Sequence, residues 1–194
     1  MLISKEIEID TSHRVFQHSS KCFSVHGHRY KIEVGVDDKI ISVPGASDEG
    51  MVIDFSDLKQ IMMEELDGGF DHGAIISEKD YMFKYALVDS IKIIFEDEEV
   101  YSVLKNKIPY FKELEKQYLK DKERKWKIKV VPFIPTAENL SKYWYSLIKP
   151  RLLEKGISIN HVKVWETPTS TAIFTKKDDA KYVELNQKTL YEIY

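Results

Sequence analysis

The stretch HGHRYKIEVGV, residues 26–36, alternates between two faces along its whole length. Every second residue of an extended strand points to the same side. The face that starts with two histidines continues with one aromatic and three aliphatic residues: His26, His28, Tyr30, Ile32, Val34 and Val36. The pattern therefore predicts a half-buried β-strand that carries two imidazoles at its beginning.

The N-terminal segment shows the same period of two. Its inward positions are Ile3, Ile7, Ile9, Thr11 and His13. The last inward residue is again a histidine, so an antiparallel hairpin of the two segments would bring three imidazoles to one end of a sheet. The sequence thus predicts two paired strands with a cluster of histidines at their common end.

Three histidines in this arrangement suit a metal ion. Zn²⁺ favours imidazole nitrogen, and a catalytic zinc site commonly takes three protein ligands and leaves a fourth position for water or substrate. His26 and His28 can bind one ion together, and His13 could supply the third ligand. The alternative is three separate histidines near the rim of a sheet.

Two amphipathic helices and two further strands follow. The first helix is predicted from about Asp54, with Asp54 or Ser56 as its cap and Gly68-Gly69 as its end. The second begins near Thr136, and Pro150 should disturb its far end. Inward residues at 162, 164 and 166, and a run at 172–176, predict the two closing strands.

The chain of 194 residues is 43% apolar, which is enough to bury the core of one domain. The element order ββ, helix, insertion, helix, ββ predicts a single α+β domain over residues 1–194. Apolar spacings of three, four and seven predict that the insertion, at about 77–127, is largely helical.

Charge and hydropathy exclude some classes of partner. The 29 basic and 32 acidic residues give a net charge of -3, which indicates no nucleic-acid-binding surface. No apolar run approaches the roughly 20 residues that span a bilayer, and the first ten residues do not form a signal-peptide core. We therefore expect a cytoplasmic protein without a nucleic-acid or membrane partner.

Cys22 is the single cysteine of the chain, and it precedes His26 by four residues. A thiol close to a divalent cation is favoured as thiolate, which can act as a base or a nucleophile. Two other interpretations stay open. Cys22 could be a fourth zinc ligand that closes a structural site, or simply a small buried apolar residue.

Asp71 and His72 form an adjacent pair after the first helix. An Asp-His pair of this kind can orient and protonate a leaving group or a developing alkoxide. Neighbours in sequence face each other only in an irregular turn, which Gly68, Gly69 and Gly73 would permit. The alternative is a turn aspartate next to an exposed histidine.

Glu166 stands at the inward end of a strand lined by valines, where a carboxylate needs a partner. A carboxylate can accept two hydrogen bonds from the adjacent N–H and NH₂ groups of a guanine-like or pterin ring. A salt bridge with Lys163 or Lys176 would explain the residue equally well.

Six ordered motifs together resemble the 6-pyruvoyl-tetrahydropterin synthase superfamily, which includes the 6-carboxy-tetrahydropterin synthases. The motifs are DTSH (10–13), C-x₃-HGH (22–28), GMVIDF (50–55), FDH (70–72), PTAEN (135–139) and WETPTS (165–170). The resemblance implies a tunnelling fold (T-fold), in which an antiparallel four-stranded sheet carries two helices. It also implies a homo-oligomer, a trimer that often stacks into a hexamer.

The resemblance further assigns roles to the candidate residues. It implies that Zn²⁺ is held by three ligands: His13, His26 and His28. Cys22 resembles the catalytic cysteine, Asp71 and His72 the proton relay, and Glu166 the carboxylate that anchors the pterin. Thr136 resembles a residue of the pterin pocket, although helix capping would account for it too.

The implied substrate is 7,8-dihydroneopterin triphosphate, a small-molecule pterin. The three-residue gap between Cys22 and His26 is similar to that of the carboxy-forming lyases of the 7-deazaguanine (queuosine) route. Pyruvoyl-forming relatives have a longer gap. The long connection after His72 departs from the family pattern, and a lid, a spacer in the oligomer or a partner contact are all open interpretations of it.

Overall fold

The computed structural model describes residues 1–86, 90–122 and 127–182. The strands are β1 (Leu2–His13), β2 (His26–Asp37), β3 (Gly73–Ser77), β4 (Ile128–Val131), β5 (Ile159–Thr167) and β6 (Ser170–Thr175). The α-helices are α1 (Phe55–Met62), α2 (Gly68–Phe70), α3 (Tyr81–Lys84), α4 (Ser90–Glu96), α5 (Glu98–Lys107), α6 (Phe111–Lys122) and α7 (Ala137–Glu154). A π-helical segment, Met63–Asp67, joins α1 to α2.

The described strands form a mixed sheet in the order β4-β3-β1-β2-β5-β6. β5 pairs antiparallel with both β2 and β6, whereas β3 and β4 run parallel. The sheet thus has six strands instead of the predicted four, and it is not wholly antiparallel. β3 and β4 are only five and four residues long, and periodicity cannot assign apolar runs of that length.

The first helical region begins as predicted and ends later. Asp54 is the N-cap of α1, and its side chain accepts a hydrogen bond from the Ser56 N–H at 2.7 Å. The predicted end at Gly68-Gly69 was wrong, because both glycines are helical and α2 ends at Phe70. The Phe70 ring is buried and lies 5.8 Å from the Trp144 ring, so burial outweighs the roughly 1 kcal/mol penalty of a helical glycine.

Helix α7 also continues past Pro150, where the sequence predicted a disturbed end. Thr136 is its N-cap, and Pro150 lies inside the helix, which runs on to Glu154. Leu152, in the last turn of the helix, is fully buried, and its carbonyl accepts a hydrogen bond from the Ile157 N–H at 2.9 Å. Burial after Pro150 therefore maintains a helix that local propensity alone would weaken.

Two compact units can be recognised. The first consists of Met1–Ser12, Gly27–His72 and Thr136–Tyr194, and the second of His13–His26 and Gly73–Pro135. The first unit contains most of the buried apolar side chains, including Tyr30, Ile32, Val34, Leu140 and Trp144. The second contains α3–α6, in agreement with the predicted helical segment. None of the helices in the described residues is both long and apolar enough to cross a membrane.

Candidate metal and catalytic site

His13, His26 and His28 come together as the sequence predicts. Each contributes a ring nitrogen, and these three atoms all lie within 4.8 Å of one another. His13 is the last residue of β1, while His26 and His28 are the first and third residues of β2. The spacing of two places the β2 pair on one face of the strand, so the alternation of the sequence produces the cluster directly.

Two of the imidazoles are oriented by backbone carbonyls. His13 Nδ1 lies 2.6 Å from the Pro135 carbonyl oxygen, and His26 Nδ1 lies 2.8 Å from that of Ser24. A carbonyl oxygen can only accept, so Nδ1 must carry the proton and donate it. When such a ring is neutral, its lone pair is on Nε2, which is the arrangement that metal-binding histidines commonly show.

The donor set fits a zinc ion. Three neutral imidazoles are typical zinc ligands, and the His13 and His26 ring centroids are 4.6 Å apart, close enough for one ion. His13 is only 2% exposed, which shields that side of the cluster from water. Cys22 is not a member of the group, so the geometry gives no support to a closed site with Cys22 as fourth ligand.

Cys22 lies in a single 3-10 turn, Lys21–Phe23, between the two histidine-bearing strands. It is a half-buried free thiol. Its carbonyl oxygen accepts a hydrogen bond from Val15 N at 2.9 Å, which fixes the turn to the residues that follow β1. The sequence prediction of a turn that leads directly into the histidine strand is thus correct.

Asp71 and His72 face each other across an irregular turn. His72 Nδ1 lies 2.6 Å from Asp71 Oδ2, and the other oxygen, Oδ1, accepts the Asp10 N–H at 2.8 Å. The glycines were the wrong explanation for this turn. The left-handed conformation falls on His72 itself, with φ +54°, and its N–H donates to the Asp10 carbonyl at 2.7 Å.

An ion pair lies beside this turn. The Arg29 guanidinium donates to both carboxylate oxygens of Asp10 at 3.1 Å, and this hydrogen bonding lowers the pKa of Asp10 below its ordinary value. The Arg29 and Asp10 side chains are 67% and 47% exposed, so solvent screens the pair and it contributes little to stability. The Asp10 carboxylate therefore remains ionised, and it adds negative charge next to Asp71.

Glu166 lies on β5, and its Oε1 accepts a hydrogen bond from the Tyr30 hydroxyl at 3.3 Å. The same oxygen lies 3.9 Å from His28 Nε2. The lysines considered as salt-bridge partners have other contacts. Lys163 Nζ lies 4.3 Å from the Trp165 ring centroid, and Lys176 donates to the Ser158 hydroxyl at 2.8 Å.

Thr136 has a capping role in the structure, because its hydroxyl accepts the Asn139 N–H at 3.4 Å. Sequence reasoning missed the carbonyls of Pro135 and Ser24, since every residue has a carbonyl and none carries a sequence signal. It also missed the contact of Tyr30 with Glu166. Tyr30 stands on the same face of β2 as His28, and that alternation could have indicated it.

Comparison with known proteins agrees with this geometry. Residues 2–177 match the family model of 6-pyruvoyl tetrahydropterin synthase, which is most of the chain. The chain belongs to the 6-pyruvoyl tetrahydropterin synthase family. A relative named 6-carboxy-5,6,7,8-tetrahydropterin synthase, from Haemophilus influenzae, is 29% identical over 168 residues, or 87% of this chain and 94% of that protein.

Solved structures of low sequence identity share the fold of this 6-pyruvoyl tetrahydropterin synthase family member. An uncharacterized protein from Wolinella succinogenes superposes with a TM-score of 0.63 at 24% identity, covering 91% of this chain and 98% of that one. The 6-pyruvoyl tetrahydropterin synthase of Caenorhabditis elegans gives 0.53 at 18% identity, with coverages of 90% and 94%. The predicted family, and the prediction of an enzyme, are confirmed.

Proposed function

We propose that this protein is a zinc-dependent lyase that converts 7,8-dihydroneopterin triphosphate and water into 6-carboxy-5,6,7,8-tetrahydropterin, acetaldehyde and triphosphate. The reaction would serve 7-deazaguanine (queuosine) synthesis in the cytoplasm. The observation that carries the proposal is the cluster of His13, His26 and His28, with two rings oriented by carbonyls. The names of the curated relatives, and the short gap between Cys22 and His26, favour the carboxy product.

The histidine cluster would hold the metal through its unprotonated nitrogens. A bound zinc ion supplies Lewis acidity, which polarises hydroxyls of the substrate side chain and makes the neighbouring C–H more acidic. His13 is buried, so its hydrogen bond to the Pro135 carbonyl is shielded from competing water. The protein's own contribution is to fix the orientation of the rings before the substrate arrives.

The remaining residues would move protons and hold the ring. Cys22, as thiolate, would take the proton from the side-chain carbon. His72 would exchange a proton through Nε2 while Asp71 keeps its Nδ1–H oriented. Glu166, held by Tyr30, would accept the N–H and NH₂ donors of the pterin, and Thr136 would lie at the pocket. A trimer or hexamer is part of the same proposal.

The direct test is to incubate the zinc-loaded protein with 7,8-dihydroneopterin triphosphate and identify the pterin by mass spectrometry. We expect 6-carboxy-tetrahydropterin together with acetaldehyde. The Cys22→Ala variant should keep zinc and lose turnover, because the metal is held by the three histidines. A product that retains the three-carbon side chain would move the assignment to the pyruvoyl-forming activity.

Two results would contradict a catalytic role for these residues. Loss of zinc from Cys22→Ala would indicate a closed four-ligand site. Absence of turnover in a wild-type protein that binds both zinc and pterin would instead support a non-catalytic binding protein. Size-exclusion chromatography with light scattering on the same sample would measure the oligomeric state.

A further inference from the structure

Arg14 and Asp80 form an ion pair inside the compact unit that carries Cys22. Arg14 Nε lies 2.5 Å from Asp80 Oδ2, and the two side chains are only 14% and 3% exposed. Taking two charges out of water is costly, so such a pair is stable only when its geometry is fixed by further contacts. The proposed chemistry gives neither residue a role.

Two aromatic rings provide those contacts. The Arg14 guanidinium carbon lies 4.9 Å from the Phe23 ring centroid and 5.3 Å from that of Phe83. Both distances are within the range of a cation–π interaction. Phe23 directly follows Cys22, whereas Phe83 belongs to α3 in the segment predicted as an insertion. Arg14 therefore connects the cysteine turn to the first turn of that segment.

Asp80 is itself held rigidly. Its Oδ1 accepts the Phe83 N–H at 3.2 Å, its N–H donates to the Ser77 carbonyl at 3.0 Å, and its carbonyl accepts the Lys84 N–H at 2.9 Å. The carboxylate thus caps α3 with one oxygen and meets Arg14 with the other. Three hydrogen bonds thus fix Asp80 in place, so it can restrain Arg14 and, through Arg14, the more exposed Cys22 turn.

The Cys22 turn is short and has few restraints of its own. The Val15 N–H binds the Cys22 carbonyl at 2.9 Å, and the Phe23 N–H binds the Ser20 carbonyl at 3.0 Å. No residue of the turn is fully buried, and the Phe23 side chain is half exposed. The guanidinium is therefore a restraint on the side-chain side of this turn.

We propose that Asp80 is a positioning residue for Cys22 and acts through Arg14 and Phe23. The catalytic part of this inference rests on the proposed function, because it takes Cys22 to be the base. It assigns a task to the start of the segment at about 77–127, which the sequence left open between a lid, a spacer and a partner contact. That task is to hold the thiol turn in its reactive position.

The reactivity of the Cys22 thiol can be used to measure how firmly the turn is held. Cys22 is the only cysteine, so the rate of alkylation by iodoacetamide, followed by intact-protein mass spectrometry, measures this residue alone. In Asp80→Asn the cap is kept and the charge is removed, which should free the turn and speed alkylation about fivefold or more. With substrate, kcat should fall about tenfold while KM stays nearly constant, because the thiol does not hold the pterin.

The matched control is Asp97→Asn. Asp97 caps α5 of the same unit and accepts the Val100 N–H at 3.0 Å, so the change of side chain is identical. It should leave alkylation and turnover unchanged. Phe23→Leu is the second test variant, because it removes the ring from Arg14 but retains both charges, and its exposed position tolerates the change.

Faster alkylation in Asp80→Asn and Phe23→Leu, at full zinc content, would support the proposal. If Asp80→Asn does not fold, Phe23→Leu decides alone. Wild-type alkylation rates in the folded variants would overturn the positioning proposal. Faster alkylation that occurs only in preparations that have lost zinc would also overturn it. Because alkylation needs no substrate, a protein inactive on the pterin triphosphate would refute the proposed function and leave the positioning role measurable.

Discussion

His13 and His72 are both oriented through Nδ1 at 2.6 Å, but by partners of different charge. His13 is 2% exposed and donates to the neutral carbonyl of Pro135. The His72 side chain is 80% exposed and meets the Asp71 carboxylate. Each arrangement is local to its own compact unit.

Under the proposed function, this difference suits the two histidines to different tasks. A carbonyl partner in a buried position fixes one neutral tautomer and leaves the Nε2 lone pair for a metal. A carboxylate partner can accept the Nδ1–H hydrogen bond in either protonation state of the ring, which suits a residue proposed to exchange a proton through Nε2. We therefore expect the removal of each histidine to affect a different measurement.

The largest effect should follow from His13→Ala. Loss of an outer-shell partner alone weakens metal binding about 10- to 100-fold, so loss of a ligand should weaken it by more than about 100-fold. Zinc content by inductively coupled plasma mass spectrometry should fall to near zero, and turnover with it. His18→Ala, in an exposed loop of the same unit, should keep zinc. Full zinc occupancy in His13→Ala would show that His13 is not a metal ligand.

A smaller effect is expected for His72→Asn. Asparagine tolerates the left-handed φ of this position, and its amide can still donate to Asp71, but it cannot exchange a proton. The kcat should fall about 10²- to 10⁴-fold, as for loss of a general acid or base, while zinc stays bound. Stopped-flow kinetics and metal analysis on one preparation would test both parts. If His72→Asn lost as much zinc as His13→Ala, His72 would be needed for metal binding and would not act only in proton exchange.

The smallest effect should come from Tyr30→Phe. The variant removes the long, 3.3 Å hydrogen bond that the neutral Tyr30 hydroxyl donates to the Glu166 carboxylate, and it keeps the buried ring against Trp144. A net value of about 1 kcal/mol corresponds to a KM increase of about fivefold, with kcat nearly unchanged. An unchanged KM would indicate that Glu166 needs no neutral partner, and that the carboxylate is oriented by other contacts.

The sequence could predict the histidine cluster because it depends on the shortest regularities of a strand. Alternation in β1 and β2 places His13, His26 and His28 on inward faces, and no distant residue is needed for that inference. The caps of α1 and α7 were equally accessible, since Asp54 and Thr136 act on backbone groups within three residues. Strand alternation and helix caps involve residues that are close in the chain, so the sequence is enough to predict them.

The sequence predictions were wrong where burial of a nearby apolar side chain outweighed the low helix propensity of glycine or proline. Gly68 and Gly69 continue the helix because Phe70 packs on Trp144, and Pro150 is tolerated because Leu152 is buried. The short strands β3 and β4 have too few residues to show a period, and they are strands because each supplies a hydrogen-bonding partner for the other. The role of the site residues and the single-domain organisation remain predictions.

The family, the histidine set and the two strands that carry it could all be inferred from the sequence. Tertiary structure alone decided which carbonyl faces each imidazole, which hydroxyl faces Glu166, and that Arg14 meets Asp80. The physical reason is that periodicity and capping act over a few residues. A hydrogen bond from His13 to Pro135, 122 residues away, depends on how the whole backbone returns to that point.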